Sequence, residues 1–289
     1  MKEYKAALLL VLASVIWGFT FAFQSQAAEV IGPFTYNGIR MLIGSLVLSP
    51  LAFREIGKRK ADPVYRKNLI YGGLACGILI AAASVFQQYG IGLTSAGRAG
   101  FITSIYALLV PVFSIALGKK VSPALWVCVF AGLAGLFLLS TGAENGKIGT
   151  GEVLLFICAI LFTFQIMSVD HFAPKVEGPD ISFLQFIVGG TVSLIFGFIF
   201  ETVSVQIIKA AAVPILYAGI FSCGVAYTLQ IVGQKHVQPT KATLILCLES
   251  FWAAVGGALI LGETMTSREI LGCLITLGAV IASQLLRKS

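Results

Sequence analysis

Long apolar runs, separated by short polar or glycine-containing joints, fill the chain almost from end to end. A helix needs about 20 predominantly apolar residues to cross the hydrocarbon core of a bilayer. Ten segments reach that length: 6–26, 34–53, 69–91, 97–117, 122–141, 149–170, 181–201, 212–233, 240–261 and 269–286. Gly and Pro punctuate the joints between several of them, as in VIGP (30–33), STGAENGKIGTG (140–151) and VEGPD (176–180). Apart from a basic connection at 54–68, no joint is long enough for a soluble domain, so any chemistry must occur within the bundle. The pattern predicts an all-α membrane protein of ten transmembrane helices.

Composition agrees with that pattern. Of 289 residues, 57% are hydrophobic and only 11% charged, against roughly 25% charged in a soluble domain. The formal net charge of +7 does not point to nucleic acid, because the charges fall between apolar segments rather than on a soluble basic face. It reads instead as a topology signal, since cytoplasmic loops accumulate Lys and Arg. With the N-terminus inside, the opposite side holds only Arg98, Lys147, Lys209 and Arg268, and Arg40 lies within a span; the other fifteen of the twenty basic residues are cytoplasmic. The expectation is a multi-pass protein of the plasma (inner) membrane with both termini in the cytoplasm. The run after Lys2 and Lys5 has the flanks of a signal peptide, but its length of about 20 residues fits a span better.

Self-comparison adds an internal repeat. AFQSQAAE (22–29) recurs as TFQIMSVD (163–170), GPFTYNGIRMLIG (32–44) as GPDISFLQFIVGG (178–190), and ALGKKVS (116–122) as ILGETMT (260–266). The offsets run from 141 to 146, so five spans precede five more, and an odd number of spans turns the second set upside down relative to the first. The expected organisation is two inverted five-helix repeats, residues 1–146 and 147–289. Inverted repeats are the signature of alternating-access carriers with a site near the midplane where the halves meet.

WGFTFAFQ in the first span, the arginine of NGIRMLIGSLV, SAGRAGFITSIYALLVPVFSIALGKKVS in the fourth and PTKATLILCLESFWAAVGGALILGETMTSREILGCLITLGAVI near the end resemble the EamA family of the drug/metabolite transporter superfamily. The resemblance covers nearly the whole chain as two EamA repeats. It implies a ten-helix carrier, commonly an exporter of small metabolites or toxic compounds, with a central cavity between its halves. Lys119 stands where a glutamate often follows the glycine of the first repeat, and Ser250 follows Glu249 where many relatives have proline.

Few residues in the spans carry chemistry. Glu249 in LILCLESFWAAVGG lies about ten residues into its span, roughly 15 Å deep. A charge there costs at least ~2.5 kcal/mol, so ionisable residues in spans usually face the interior and act. Trp252 shares its helix face, and at an offset of 144, set by Gly118 and Gly262, its counterpart is Ile105. Glu249 is either a proton carrier and substrate contact or a polar tie between helices. Arg40, roughly 10 Å deep, requires an anion, carbonyls or cavity water; it either meets Glu249 or a substrate carboxylate, or snorkels to the outer interface. Trp17 falls mid-span, away from the interfacial belt, and either lines the site or packs the core. Gln24, Gln88, Ser84 and Tyr106 are buried polar groups that either bind ligand or bond a neighbouring helix, as do Gln87, Gln165 and Tyr227. Pro111 removes the bond to the Ala107 carbonyl and predicts a kink near Tyr106.

The six cysteines lie singly in apolar runs and His171 and His236 stand apart, so no metal, cofactor or catalytic triad is expected. No phosphate loop or hydrolase motif occurs. The sequence therefore reads as a secondary transporter, an exporter of a small organic metabolite such as an amino acid, working by alternating access with protons as a coupling partner through Glu249. A proton-independent facilitator and a multidrug or organic-cation exporter are the nearest variants. An intramembrane enzyme would need a nucleophile or metal set at membrane depth, which the spans do not supply.

Overall fold

The computed structural model describes residues 3–58, 62–94, 96–118, 121–140, 149–262 and 266–285. Lys119, Glu263 of the second L-G-E pattern, most of the 140–151 joint and both chain ends, on which parts of the sequence reading rest, lie outside the described residues. Helices make up all the regular structure of the described residues. They run α1 (Glu3–Ala28), α2 (Pro33–Lys58), α3 (Pro63–Ile91), α4 (Ala96–Thr103), α5 (Tyr106–Ala116), α6 (Pro123–Ser140), α7 (Thr150–Phe172) and α8 (Gly178–Phe200). The remainder are α9 (Val205–Ala210), α10 (Ala212–Tyr217), α11 (Tyr227–Gln234), α12 (Pro239–Leu246), α13 (Leu248–Gly256) and α14 (Ser267–Leu285). A π-helical stretch (Ala218–Ala226) joins α10 to α11, and another (Gly257–Leu261) extends α13.

Eight of these segments are long and apolar enough to cross a membrane: α1, α2, α3, the α4–α5 pair, α7, α8, the α10–α11 pair and the α12–α13 pair. The helices α6 and α14 contain shorter apolar stretches, Pro123–Gly135 and Ile270–Ser283. The chain is thus a multi-pass membrane protein, with eight candidate spans and two shorter apolar helices among the described residues. Large side chains such as Leu46, Phe198 and Leu259 are mostly exposed on its flanks, where acyl chains rather than water would cover them.

Two joints are more helical than expected. The basic connection at 54–68 is largely the ends of α2 and α3, because Asp62 caps α3: its Oδ1 accepts from the Val64 and Tyr65 amides at 2.9 and 3.0 Å, with Pro63 at the first helical position. Between the seventh and eighth expected spans, Ser204 caps the short helix α9 by accepting from the Ile207 amide.

The fourth span breaks at Ser104–Ile105 rather than at Pro111, which sits inside α5. Around the break the backbone tightens to three-residue bonds: Ile105 N to Ile102 O, Ala107 N to Ser104 O and Leu108 N to Ile105 O, at 2.9 to 3.2 Å. A matching break at Cys247 divides α12 from α13. The two breaks touch. Ser104 and Ser250 share a hydroxyl hydrogen bond of 2.8 Å, and the Cys247 thiol points at the Ser104 carbonyl at 3.6 Å. Tertiary contact between the broken helices, which the local sequence cannot report, decides where the bend falls.

Close packing brings the other helices to this centre. The helix α2 packs on α8, α3 on α7 and α8, α6 on α14, and α1 on α13 and α11. At Gly18 a Cβ would lie 2.7 Å from the Glu249 carbonyl oxygen and would strike the Trp252 side chain. Only glycine lets α1 approach the acid-bearing helix so closely.

Candidate functional site

The two helix breaks aim four side chains into one buried cavity. Thr103 and Tyr106 flank the first break, Leu246 and Glu249 the second, and all four line the same space. Each pair is related by 143 residues. With the breaks as reference the counterpart of Glu249 is Tyr106, not the Ile105 expected from Gly118 and Gly262. Both glycines have left-handed backbones, φ 79° and 72°, and stand 144 apart. The π-helical stretch after α13 accounts for the extra residue, because a π turn holds one residue more than an α turn.

Tyr106 donates its hydroxyl to Glu249 Oε1 at 3.0 Å. Glu249 is 5% exposed, and among the described residues no cation lies within ion-pair distance of it. Arg40, from α2, lines the same cavity and is 2% exposed. Its Nε donates to Asn37 Oδ1 at 2.7 Å, Asn37 Nδ2 donates to the carbonyls of Pro33 and Ser84, and the guanidinium lies 5.5 Å from the centre of the Tyr36 ring. That chain of bonds fixes the arginine's direction while leaving no described carboxylate within ion-pair reach of it.

Aromatic and amide groups complete the walls. Trp17 packs against Tyr227, ring centres 4.6 Å apart and tilted by 58°. The Trp17 Nε1 donor and the oxygens of Thr103, Gln165 and Gln230 are buried with no hydrogen-bond partner, although buried polar atoms are normally satisfied. All four line the cavity. The free volume between the walls is about 40 Å³. That is room for a few waters; a solute would need the walls to part.

Of the residues singled out in the sequence, Glu249, Arg40, Trp17, Tyr106 and Gln24 line this cavity, as do Gln87, Gln165 and Tyr227. Gln24 donates to Gln87 Oε1 at 3.2 Å. Three stand outside the lining. Gln88 donates to the Gln24 carbonyl at 2.9 Å, Ser84 lends its carbonyl to Asn37, and Trp252 packs its side chain where α1 crosses at Gly18. Thr103, Ser222 and Gln230 line the cavity without having been singled out. Ser222 comes from the π-helical stretch, and Gln230 lies three residues beyond Tyr227 on the same face of α11.

The sequence profile of the EamA-like transporter family matches residues 4–141 and 149–284, nearly the whole chain in two copies. The chain belongs to that family, whose members are transporters of small molecules. It is similar to a protein of Archaeoglobus fulgidus described as an uncharacterized transporter, 28% identical over 97% of this chain and 86% of the relative. It is also similar to the uncharacterized inner membrane transporter YedA of Escherichia coli, 24% identical over 92% of this chain and 86% of the relative. A crystal structure aligns over 99% of this chain and 98% of its own length with a TM-score of 0.77 at 18% identity, which shows a shared fold.

Proposed function

We propose that the chain is a secondary carrier of ten spans, built from inverted repeats at 1–146 and 147–289, that exports a small organic solute such as an amino acid by alternating access. One observation carries the reading: a buried cavity takes Arg40 from the first half and Glu249 from the second, with unpartnered hydrogen-bonding groups in the same lining. A carboxylate at membrane depth with one hydroxyl donor and no cation in reach gains little from being charged while the cavity is closed. Water or a solute entering from one side changes that balance. Glu249 then exchanges its proton with the side to which the cavity is open, and inward proton movement drives the solute out. Arg40, oriented by Asn37, suits a substrate carboxylate. The excess of Lys and Arg on one side supports cytoplasmic termini in the inner membrane.

A second reading is favoured by the rings of Trp17, Phe21, Phe162 and Tyr227 around the acid, which suit an organic cation. Both readings meet one test. Proteoliposomes are loaded with a panel of amino acids and organic cations, and efflux is followed after an inward proton gradient is imposed. Efflux of at least one class above protein-free vesicles, faster with the gradient than without, is expected. No movement of any solute contradicts the carrier reading.

A further inference from the structure

A second polar space lies at the end of the bundle that carries the start of α1. It is lined by residues including Glu3, Asp170, Gln234, His236 and Val237. Its free volume is about 390 Å³, against about 40 Å³ in the central cavity. Two helices contribute to both spaces, one turn apart. On α7, Ile166 lines the central cavity and Asp170 the outer space; on α11, Gln230 lines the cavity and Gln234 the outer space. Four residues of helix amount to about 6 Å, so the partition between the spaces is one turn thick.

The amides on that turn are unusual. Gln230 is 1% and Gln234 4% exposed, yet Gln230 Oε1 and both Gln234 amide atoms have no hydrogen-bond partner. Such groups are strongly selected against in a packed interior unless water or a ligand reaches them. Their neighbour Gly233 faces α1, where an added Cβ would lie 2.7 Å from Leu10 Cδ2, so α11 is clamped on one side and lines the two spaces with the other. Apolar side chains stand on both sides of it: Ile166 lines the central cavity, Val237 lines the outer space, and both belong to the buried core.

We propose that this one-turn partition is the gate on the face bearing the start of α1, and that Gln230 and Gln234 are positioning residues that pass a hydrogen-bonding solute between the vestibule at Asp170 and the central site. The solute class is a small polar molecule carrying both donors and acceptors, because Gln234, which lines the vestibule, holds a buried donor and a buried acceptor that have no partner. A purely hydrophobic cation would have no use for either amide. The proposal rests on the carrier reading for its purpose but makes a claim about water access that requires no transport assay.

The test is thiol labelling in lipid nanodiscs with a membrane-impermeant cationic methanethiosulfonate reagent. Gln234→Cys is expected to react about tenfold faster than the background of the unmodified protein, a difference equivalent to ~1.4 kcal/mol, and Gln230→Cys more slowly than Gln234→Cys. Thinning the partition with Ile166→Ala in the Gln230→Cys background is expected to raise its labelling by about tenfold and to leave Gln234→Cys unchanged. Val237→Ala provides the same thinning from the vestibule side should Ile166→Ala not fold, as judged by its melting curve. Labelling of Gln234→Cys at the background rate, or a Gln230→Cys rate indifferent to the folded thinning variant, overturns the proposal. If labelling follows the expected pattern while no solute moves in vesicles, the gate stands and the carrier reading falls.

Discussion

Glu249 receives its hydrogen bond from Tyr106, which occupies the equivalent position at the other helix break. Tyr106→Phe keeps the ring and deletes that donor. Transport measured in vesicles is expected to fall by about tenfold with a displaced pH profile, the scale of one hydrogen bond to a charged group; an unchanged rate and profile would mean that the hydroxyl plays no part. At Gly18, Ala forces α1 away from the Glu249 backbone. Overpacking of this kind costs about 1–3 kcal/mol, so Gly18→Ala is expected to lower the melting temperature in detergent. Glu249 and Arg40 were legible in the sequence because an ionisable group within a span is rare and costly. Thr103, Ser222 and Gln230 were not, because a single hydroxyl or amide in an apolar run does not say which neighbour its helix face will meet.

Helix ends hold the frame around those residues. The carboxylate of Glu201, just past α8, accepts from the Phe34 and Thr35 amides at 2.8 Å each and from the Thr35 hydroxyl at 2.6 Å. It thereby caps α2, the helix that carries Arg40, with a residue from the other half of the chain. Loss of a cap costs about 0.5–2 kcal/mol, so Glu201→Ala is expected to reduce thermal stability, and a melting curve identical to the parent would contradict the capping role. Gly262 ends the second π-helical stretch with φ 72° and, among the described residues, no atom within 4 Å of its missing Cβ. The left-handed backbone there makes alanine cost roughly 1 kcal/mol. Helix positions were readable from apolar run lengths, whereas the start of α3 at Pro63, capped by Asp62, fell within what was read as a basic connection. The break at Ser104–Ile105 was hidden, because the visible breaker is Pro111 while contacts with Ser250 and Cys247 set the bend. The π-helical stretches were equally silent: nothing in AGIFSCGVA or GALIL marks a widened turn.

Across the whole molecule, the two matched copies of the family profile and the left-handed glycines 144 residues apart agree with the repeat visible in the sequence. The count of spans is less complete, since α6 and α14 contain only short apolar stretches among the described residues. If the chain crosses the membrane ten times, reporter fusions at its two ends should both register on the cytoplasmic side; opposite sides would require an odd number of crossings. The central claim is that a proton on Glu249 is exchanged as the cavity opens to alternate sides. It is tested most directly by comparing the parent with Glu249→Gln in proteoliposomes, using a solute that the parent moves, with and without a pH gradient. The account predicts that the variant loses gradient-driven accumulation by about tenfold or more, as removal of a coupling charge requires, and becomes insensitive to pH. Undiminished gradient-driven transport by Glu249→Gln, with the parent's pH profile, would contradict it.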